Sequence, residues 1–188
     1  MNMNKAIFFD RDGTIIEERG YISRLRQSEI FPFTAEAVRL MNENHFKAIV
    51  ITNQSAIARG ICTPEQVETI HREISETLAK QGAVIDRFYY CPFHTEGVIP
   101  AYKKKSECRK PLPGMIFQAA ADFHIDLSQS YMVGDDLVDI ETGKNAGCKT
   151  VLVLTGKGRQ VFEQLPGRDI QPDIVSENIL TVIIEICR

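Results

Sequence analysis

The sequence predicts a Rossmann-like three-layer α/β fold with a mainly parallel central sheet, on three observations. Short apolar runs alternate along the chain with stretches of helical period, the pattern of strands joined by crossover helices. The runs are apolar at successive positions, as strands covered on both faces require. Polar residues gather where several of the runs end, and parallel sheets bind ligands beyond the carboxyl ends of their strands.

The elements follow in order. Residues 5–10 form the first strand, an apolar run closing on Asp10, and residues 46–52 form the second. Residues 84–90 make a weaker third, 131–135 a fourth, 150–154 a fifth and 172–175 a short last one. Between the first two strands, Thr34 is expected to cap a helix running to Asn44, with Ala37, Leu40 and Met41 on its inner face. The next helix carries a capping box: Thr63 as N-cap, Pro64 at the first helical position and Gln66 reaching back. Its apolar stripe is Val67, Ile70, Ile74 and Leu78. Residues 113–123 place Met115, Ile116, Ala119, Ala120 and Phe123 on one side of a third helix, and a fourth runs from Asp135 to Gly147. The chain beyond Arg159 carries no chemical motif. With 188 residues, no repeat and no linker, one domain spanning 1–188 is expected.

Composition narrows the partners. A formal net charge of -3 argues against nucleic acid, which selects basic surfaces, but leaves a small phosphorylated ligand open. No apolar run is long enough for a bilayer, and the start, Met1-Asn2-Met3-Asn4-Lys5, lacks a signal peptide's apolar core, so a cytoplasmic protein without membrane association is expected. In that compartment Cys62, Cys91, Cys108, Cys148 and Cys187 read as buried thiols or metal ligands rather than a disulfide framework. The sequence does not fix oligomeric state; a monomer is the default expectation.

Four short motifs carry chemistry. Asp10-Arg11-Asp12-Gly13-Thr14 sets two carboxylates one residue apart where the first strand opens into a turn. One can attack phosphorus while the other handles the leaving group's proton, and a magnesium ion would relieve the repulsion between two acids and an incoming phosphate. The plainer reading is a strand-end turn with solvated acids. Thr52-Asn53-Gln54 ends the second strand with a hydroxyl and backbone N–H groups suited to phosphoryl oxygens, although strand-end threonines are often only turn formers. Cys108-Arg109-Lys110-Pro111 offers cations for a transferring phosphate, and Pro111, Pro113 and Gly114 restrict the chain around Lys110. Gly134-Asp135-Asp136 ends the fourth strand and could complete a metal site, with Asp139 one turn on able to orient it.

All four motifs, in this order and at strand ends, resemble the haloacid dehalogenase superfamily of phosphotransferases over nearly the whole chain. The resemblance implies that Asp10 is the nucleophile and Asp12 the general acid and base. It implies that Asp10, the backbone carbonyl of Asp12, and Asp135 hold magnesium, and that Thr52 and Lys110 bind phosphate. Asn53-Gln54-Ser55-Ala56-Ile57-Ala58-Arg59-Gly60, with Gly20-Tyr21, Tyr90-Cys91-Pro92 and Pro113-Gly114-Met115, is similar to the heptose-bisphosphate 7-phosphatases of nucleotide-heptose and surface-glycan synthesis, and Ala56 stands where they usually have Gly. Histidinol-phosphate phosphatases are close relatives and the alternative substrate class; a non-catalytic sugar-phosphate-binding protein is the alternative of another kind.

Only about thirty residues separate Thr14 from the second strand, too few for the separate cap domain of larger members. Loops 17–30, 54–62 and 92–109 should then shape the substrate site. Asn53, Gln54, Arg59 and Arg109 are the candidate substrate contacts, the two arginines because a guanidinium fork suits a second phosphate. Glu17 and Glu18 could meet sugar hydroxyls. The resemblance also implies a structural zinc, held in the relatives by Cys-x-His and Cys-x-Cys. Here Phe93 and Ser106 replace two of the four ligands, so zinc is expected to be absent or weak, with Cys91 and Cys108 remaining and His94 or Glu107 as substitutes. Packing of Phe93, Val98, Ile99 and Tyr102 should hold that loop instead, with Lys103, Lys104 and Lys105 on its exposed face.

Overall fold

The computed structural model describes residues 3–20 and 29–188. Tyr21 and the rest of 21–28, part of the predicted site-shaping loop, lie outside the described residues. The chain runs β1 (Lys5–Phe9), α1 (Thr34–Glu43), β2 (Phe46–Asn53), α2 (Ser55–Ala58), α3 (Pro64–Ala79), β3 (Arg87–Cys91), α4 (Gly114–Phe123), β4 (Tyr131–Gly134), α5 (Leu137–Ala146), β5 (Lys149–Val153), α6 (Gly158–Glu163), β6 (Ile174–Ser176) and α7 (Ile179–Ile186). The six strands form one sheet in the order β3-β2-β1-β4-β5-β6, every pair parallel.

That order places the site. From β1 the chain builds outward through β2 and β3, then returns to build the other way through β4, β5 and β6. The strand order therefore reverses between β1 and β4, where α/β sheets open a crevice at their carboxyl ends. Asp10 follows β1 there, its N–H bonded to the Val133 carbonyl of β4 at 2.9 Å.

Both sheet faces are buried. Along β1, Ile7 and Phe9 pack on one side with Val38, Ile74 and Ile183 of α1, α3 and α7, while Ala6 and Phe8 pack on the other with Met115 and Ile116 of α4. Each fully buried large side chain of this kind contributes roughly 1.5–3 kcal/mol, which is why the successive apolar positions define strands rather than surface turns.

Two expectations need correction. Thr34 does not cap α1: it is the first helical residue, and its hydroxyl bonds the Ile15 carbonyl at 2.9 Å, tying the helix to the turn after β1. The third strand starts at Arg87 rather than 84, because the Val84 backbone spends its hydrogen bonds on α1 rather than β2, while the Asp86 N–H still bonds the Ala48 carbonyl of β2 at 2.8 Å. Val84 exchanges two with the Asn42 side chain, and the Asp86 carboxylate accepts from the Ala48 N–H and Lys47. The stretch after Arg159, silent as to chemistry, supplies α7, whose Ile179, Val182 and Ile183 are fully buried. The capping box of Thr63 and Gln66 on α3 is formed as expected. Among the described residues no helix is long and apolar enough to cross a membrane.

Candidate active site

A cavity of about 300 Å³ opens at the strand-order reversal, lined by residues at or beyond the ends of four strands, among them Asp10, Thr52, Asp135 and Lys157, and by Lys110 from the loop before α4. Lys110 is its hub. Only 4% exposed, it places its ammonium 2.7 Å from both Asp10 Oδ1 and Asp139 Oδ1. Burial opposes a charge there, but the two carboxylates outweigh it and raise the Lys110 pKa above the ordinary lysine value. Its backbone is gripped by Asn53, whose side chain accepts from the Lys110 N–H at 3.0 Å and donates to the Lys110 carbonyl at 3.1 Å.

Asp10, Asp135 and Asp139 present carboxylate oxygens within 4.8 Å of one another. Asp135 is 2% exposed, and burial, then the charges of Asp10 and Asp139, push its pKa up to about 8. A buried carboxylate crowded by two others is a site that a hard divalent cation would relieve, and all-oxygen donors suit magnesium. The Asp139 oxygens are already engaged, Oδ1 by Lys110 and Oδ2 by the Asp136 N–H at 3.1 Å. The Asp12 carboxylate turns to other partners: the guanidinium of Arg11 and the amide of Gln54, 3.2 Å from Oδ2. Gln54 also donates to the buried Thr52 hydroxyl at 2.9 Å, linking the second motif to the first.

Sequence reasoning missed a fifth contribution. Beyond β5, Thr155-Gly156-Lys157-Gly158 straps the site together. The Thr155 hydroxyl bonds the Gly13 carbonyl at 2.7 Å, and the Lys157 N–H bonds Asp135 Oδ2 at 2.8 Å. Gly13 and Gly156 both have positive φ, +81° and +51°, and a Cβ on either would collide with the Asp135 carboxylate. The Lys157 ammonium stands 3.3 Å from Asp136 and 3.9 Å from Glu18 at the rim. The signal was present: two glycines around a lysine directly after an apolar strand.

The remaining candidates are placed less centrally. Arg59 and Arg109 do not line this cavity: Arg59 pairs with Glu96 at 3.6 Å, and Arg109 donates to the Phe93 carbonyl at 3.2 Å. Glu18 lines the cavity and accepts from the Gly20 N–H at 2.7 Å, whereas Glu17 pairs with the exposed Arg19. In loop 92–109, Phe93 and Tyr102 meet with ring centroids 6.1 Å apart and Lys103, Lys104 and Lys105 are exposed. Val98 and Ile99 are exposed too, contrary to expectation; their N–H groups, both bonded to the Ala58 carbonyl, hold the loop instead.

The reading of all cysteines as thiols or ligands also needs correction, for Cys91 and Cys108 form a disulfide with a Cα–Cα distance of 5.5 Å. Asn53 explains the approach: it is the ladder partner of Cys91 across β2 and β3, and its side chain holds Lys110, two residues past Cys108. His94 Nδ1 meanwhile accepts from the Glu96 N–H at 3.0 Å. Cys62, Cys148 and Cys187 are free.

The comparisons with known proteins agree with this geometry. Residues 107–182 match the HAD-hydrolase-like family. The chain is 39% identical to the D-glycero-D-manno-heptose-1,7-bisphosphate 7-phosphatase of Chlorobaculum tepidum, covering 97% of this chain and 94% of that protein. It is 42% identical to the D-glycero-beta-D-manno-heptose-1,7-bisphosphate 7-phosphatase of Escherichia coli K12, covering 81% and 80%. Among solved structures, the D,D-heptose 1,7-bisphosphate phosphatase of B. bronchiseptica, complexed with magnesium and phosphate, aligns with a TM-score of 0.83 and 29% identity over 97% of each chain. On likeness over nearly its full length, and with acids and a lysine converging at the strand-order reversal, the chain belongs to the haloacid dehalogenase-like hydrolases, in the family of the heptose-1,7-bisphosphate 7-phosphatases.

Proposed function

We propose that this protein is a magnesium-dependent phosphatase that removes the 7-phosphate of D-glycero-D-manno-heptose 1,7-bisphosphate, in nucleotide-heptose synthesis. The carrying observation is the convergence of Asp10 with Asp135, Asp139 and the buried Lys110 in one cavity. The relatives' names supply the substrate. A single catalytic domain without a separate cap, monomeric and cytoplasmic, completes the reading.

An Asp10 carboxylate oxygen attacks phosphorus, the bond from phosphorus to the sugar oxygen breaks, and Asp12 gives its proton to the departing alkoxide. Water then attacks the aspartyl-phosphate, passes a proton to Asp12 and releases inorganic phosphate, restoring both acids. Lys110 and the Thr52 hydroxyl neutralise and orient the phosphoryl oxygens. Asp10, the Asp12 carbonyl and Asp135 would hold magnesium, which when bound supplies charge neutralisation and in-line alignment. Asn53 and Gln54 serve at the substrate end chiefly by holding Lys110 and Asp12. Arg59 and Arg109 keep the role of gripping the second phosphate on the fit of a guanidinium fork to phosphate alone, and Glu18, which lines the cavity, is the better placed of the two loop acids for a sugar hydroxyl.

The test is a specificity panel with magnesium: both anomers of heptose 1,7-bisphosphate, fructose 1,6-bisphosphate and histidinol phosphate. A kcat/KM for a heptose bisphosphate at least about tenfold above the rest is expected, since a remote phosphate contributes binding energy that positions the reacting one. Preference for histidinol phosphate would replace the substrate. Phosphate release from none of them, with binding retained, would favour a sugar-phosphate-binding protein.

A further inference from the structure

Arg11, between the two proposed catalytic acids, is 1% exposed and among the largest fully buried side chains. A buried guanidinium needs a reason, because taking a charge out of water costs several kcal/mol unless it is well paired. Its fork closes on the neighbouring acid: Nε donates to Asp12 Oδ2 at 3.1 Å and Nη2 to Asp12 Oδ1 at 3.1 Å. Its remaining nitrogen, Nη1, lies 3.3 Å from His71 Nε2. Arginine can only donate, so Nε2 accepts and the imidazole is neutral with its proton on Nδ1. Burial, then the Arg11 charge, push the His71 pKa down to about 3, in keeping with that tautomer. The imidazole is itself fixed. It projects from α3, stacks on Phe88 of β3 with centroids 4.5 Å apart, and meets the edge of Tyr90 at 5.8 Å.

These contacts load the two Asp12 oxygens unequally. Oδ2 accepts from Arg11 Nε and Gln54 and lies 2.9 Å from Arg11 Nη2, whereas among the described residues Oδ1 accepts from Nη2 alone. Oδ1 is therefore the oxygen with lone-pair capacity left for a proton. We propose that Arg11, held by neutral His71, is a positioning residue that orients the Asp12 carboxyl so that Oδ1 exchanges the proton with the leaving group. This rests on the reading of Asp12 as the acid of the proposed reaction. No net chemistry is added: the proton leaves Oδ1 for the alkoxide and returns from water.

A merely structural ion pair and a positioning residue differ in one readout. Proton delivery matters most for a poor leaving group and least for one that departs as a stable anion. The experiment measures kcat/KM of the wild type, Arg11→Lys, His71→Phe and His71→Gln on a series of aryl phosphates from p-nitrophenyl to phenyl, and on heptose 1,7-bisphosphate. For Arg11→Lys the expected loss is about tenfold or more on phenyl phosphate and severalfold less on p-nitrophenyl phosphate, part of the ~10²–10⁴-fold that general acid catalysis supplies. His71→Phe, which keeps the stack but removes the acceptor, should shift the series the same way, and His71→Gln, which restores an acceptor, should recover most of it. Equal losses across the series in folded variants would overturn the proposal. Should Arg11→Lys fail to fold, the contrast between the two His71 variants decides alone. A wild type that ignores heptose bisphosphate but hydrolyses the aryl series refutes the substrate and leaves this test standing, whereas a wild type inert on every ester refutes both.

Discussion

Asn53 holds Lys110 by both of its backbone groups, accepting from the N–H at 3.0 Å and donating to the C=O at 3.1 Å across 57 residues of sequence. A strand-end side chain thereby fixes the lysine that meets Asp10 and Asp139. Asn53→Ala should lower kcat by roughly 10- to 100-fold with little change in melting temperature, because misplacing a catalytic group by about 1 Å costs about that much. Asn53→Asp should lose comparably, since a carboxylate cannot donate to the carbonyl. Steady-state kinetics beside thermal melts check this; full activity in Asn53→Ala would show that Lys110 does not depend on it.

Asp10→Asn should abolish turnover in a folded protein, because an amide keeps the shape but cannot attack phosphorus. Asp12→Asn should lose about 10²–10⁴-fold on poor leaving groups. Phosphate release assays on purified protein decide, and activity in Asp10→Asn above a mock preparation counts against the covalent route.

Gly156→Ala should weaken magnesium binding at least about tenfold, as disturbing the groups that orient a metal ligand commonly does. The added Cβ meets the Asp135 carboxylate and comes within 2.7 Å of the Gly13 Cα. Calorimetric titration of magnesium into the purified variant reads this directly. Unchanged affinity would mean that Asp135 does not bind the ion in this orientation.

The buried His71 should make the fold acid-sensitive. Its folded pKa of about 3 lies below the ordinary histidine value, so between the two the unfolded chain binds a proton that the folded one refuses. Its contribution is full above pH ~6.5 and is lost as pH falls toward ~3, with a limiting slope of about 1.4 kcal/mol per pH unit. Denaturant titrations of wild type and His71→Gln from pH 7 to 4 should therefore show the wild type losing stability faster. Parallel curves would place a charged histidine in the native state.

Zinc should be near zero by elemental analysis of protein purified without added metal or affinity tag. Thiol titration under denaturing, non-reducing conditions should find Cys62, Cys148 and Cys187 reactive and Cys91 and Cys108 not. One zinc per chain, lost in both Cys91→Ser and Cys108→Ser, would overturn this. A chelator that leaves magnesium-dependent activity intact would accord with it.

What the sequence determined by itself was local. Apolar runs such as 5–9, the Thr63 capping box and polar strand ends such as Asp10, Thr52 and Asp135 declare themselves within a few residues, because burial and capping act on near neighbours. The tertiary structure alone decided which distant groups meet. The side chain of Asn53 turns to Lys110 and that of Asp12 to Arg11 and Gln54. The Thr155–Gly158 strap presses on Asp135, and Cys91 meets Cys108. Helix α7, without a motif of its own, completes the core on α1. Such partnerships depend on strand order: reversal between β1 and β4 brings far parts of the chain to one crevice, and a buried polar side chain must bond whatever partner the packing leaves beside it.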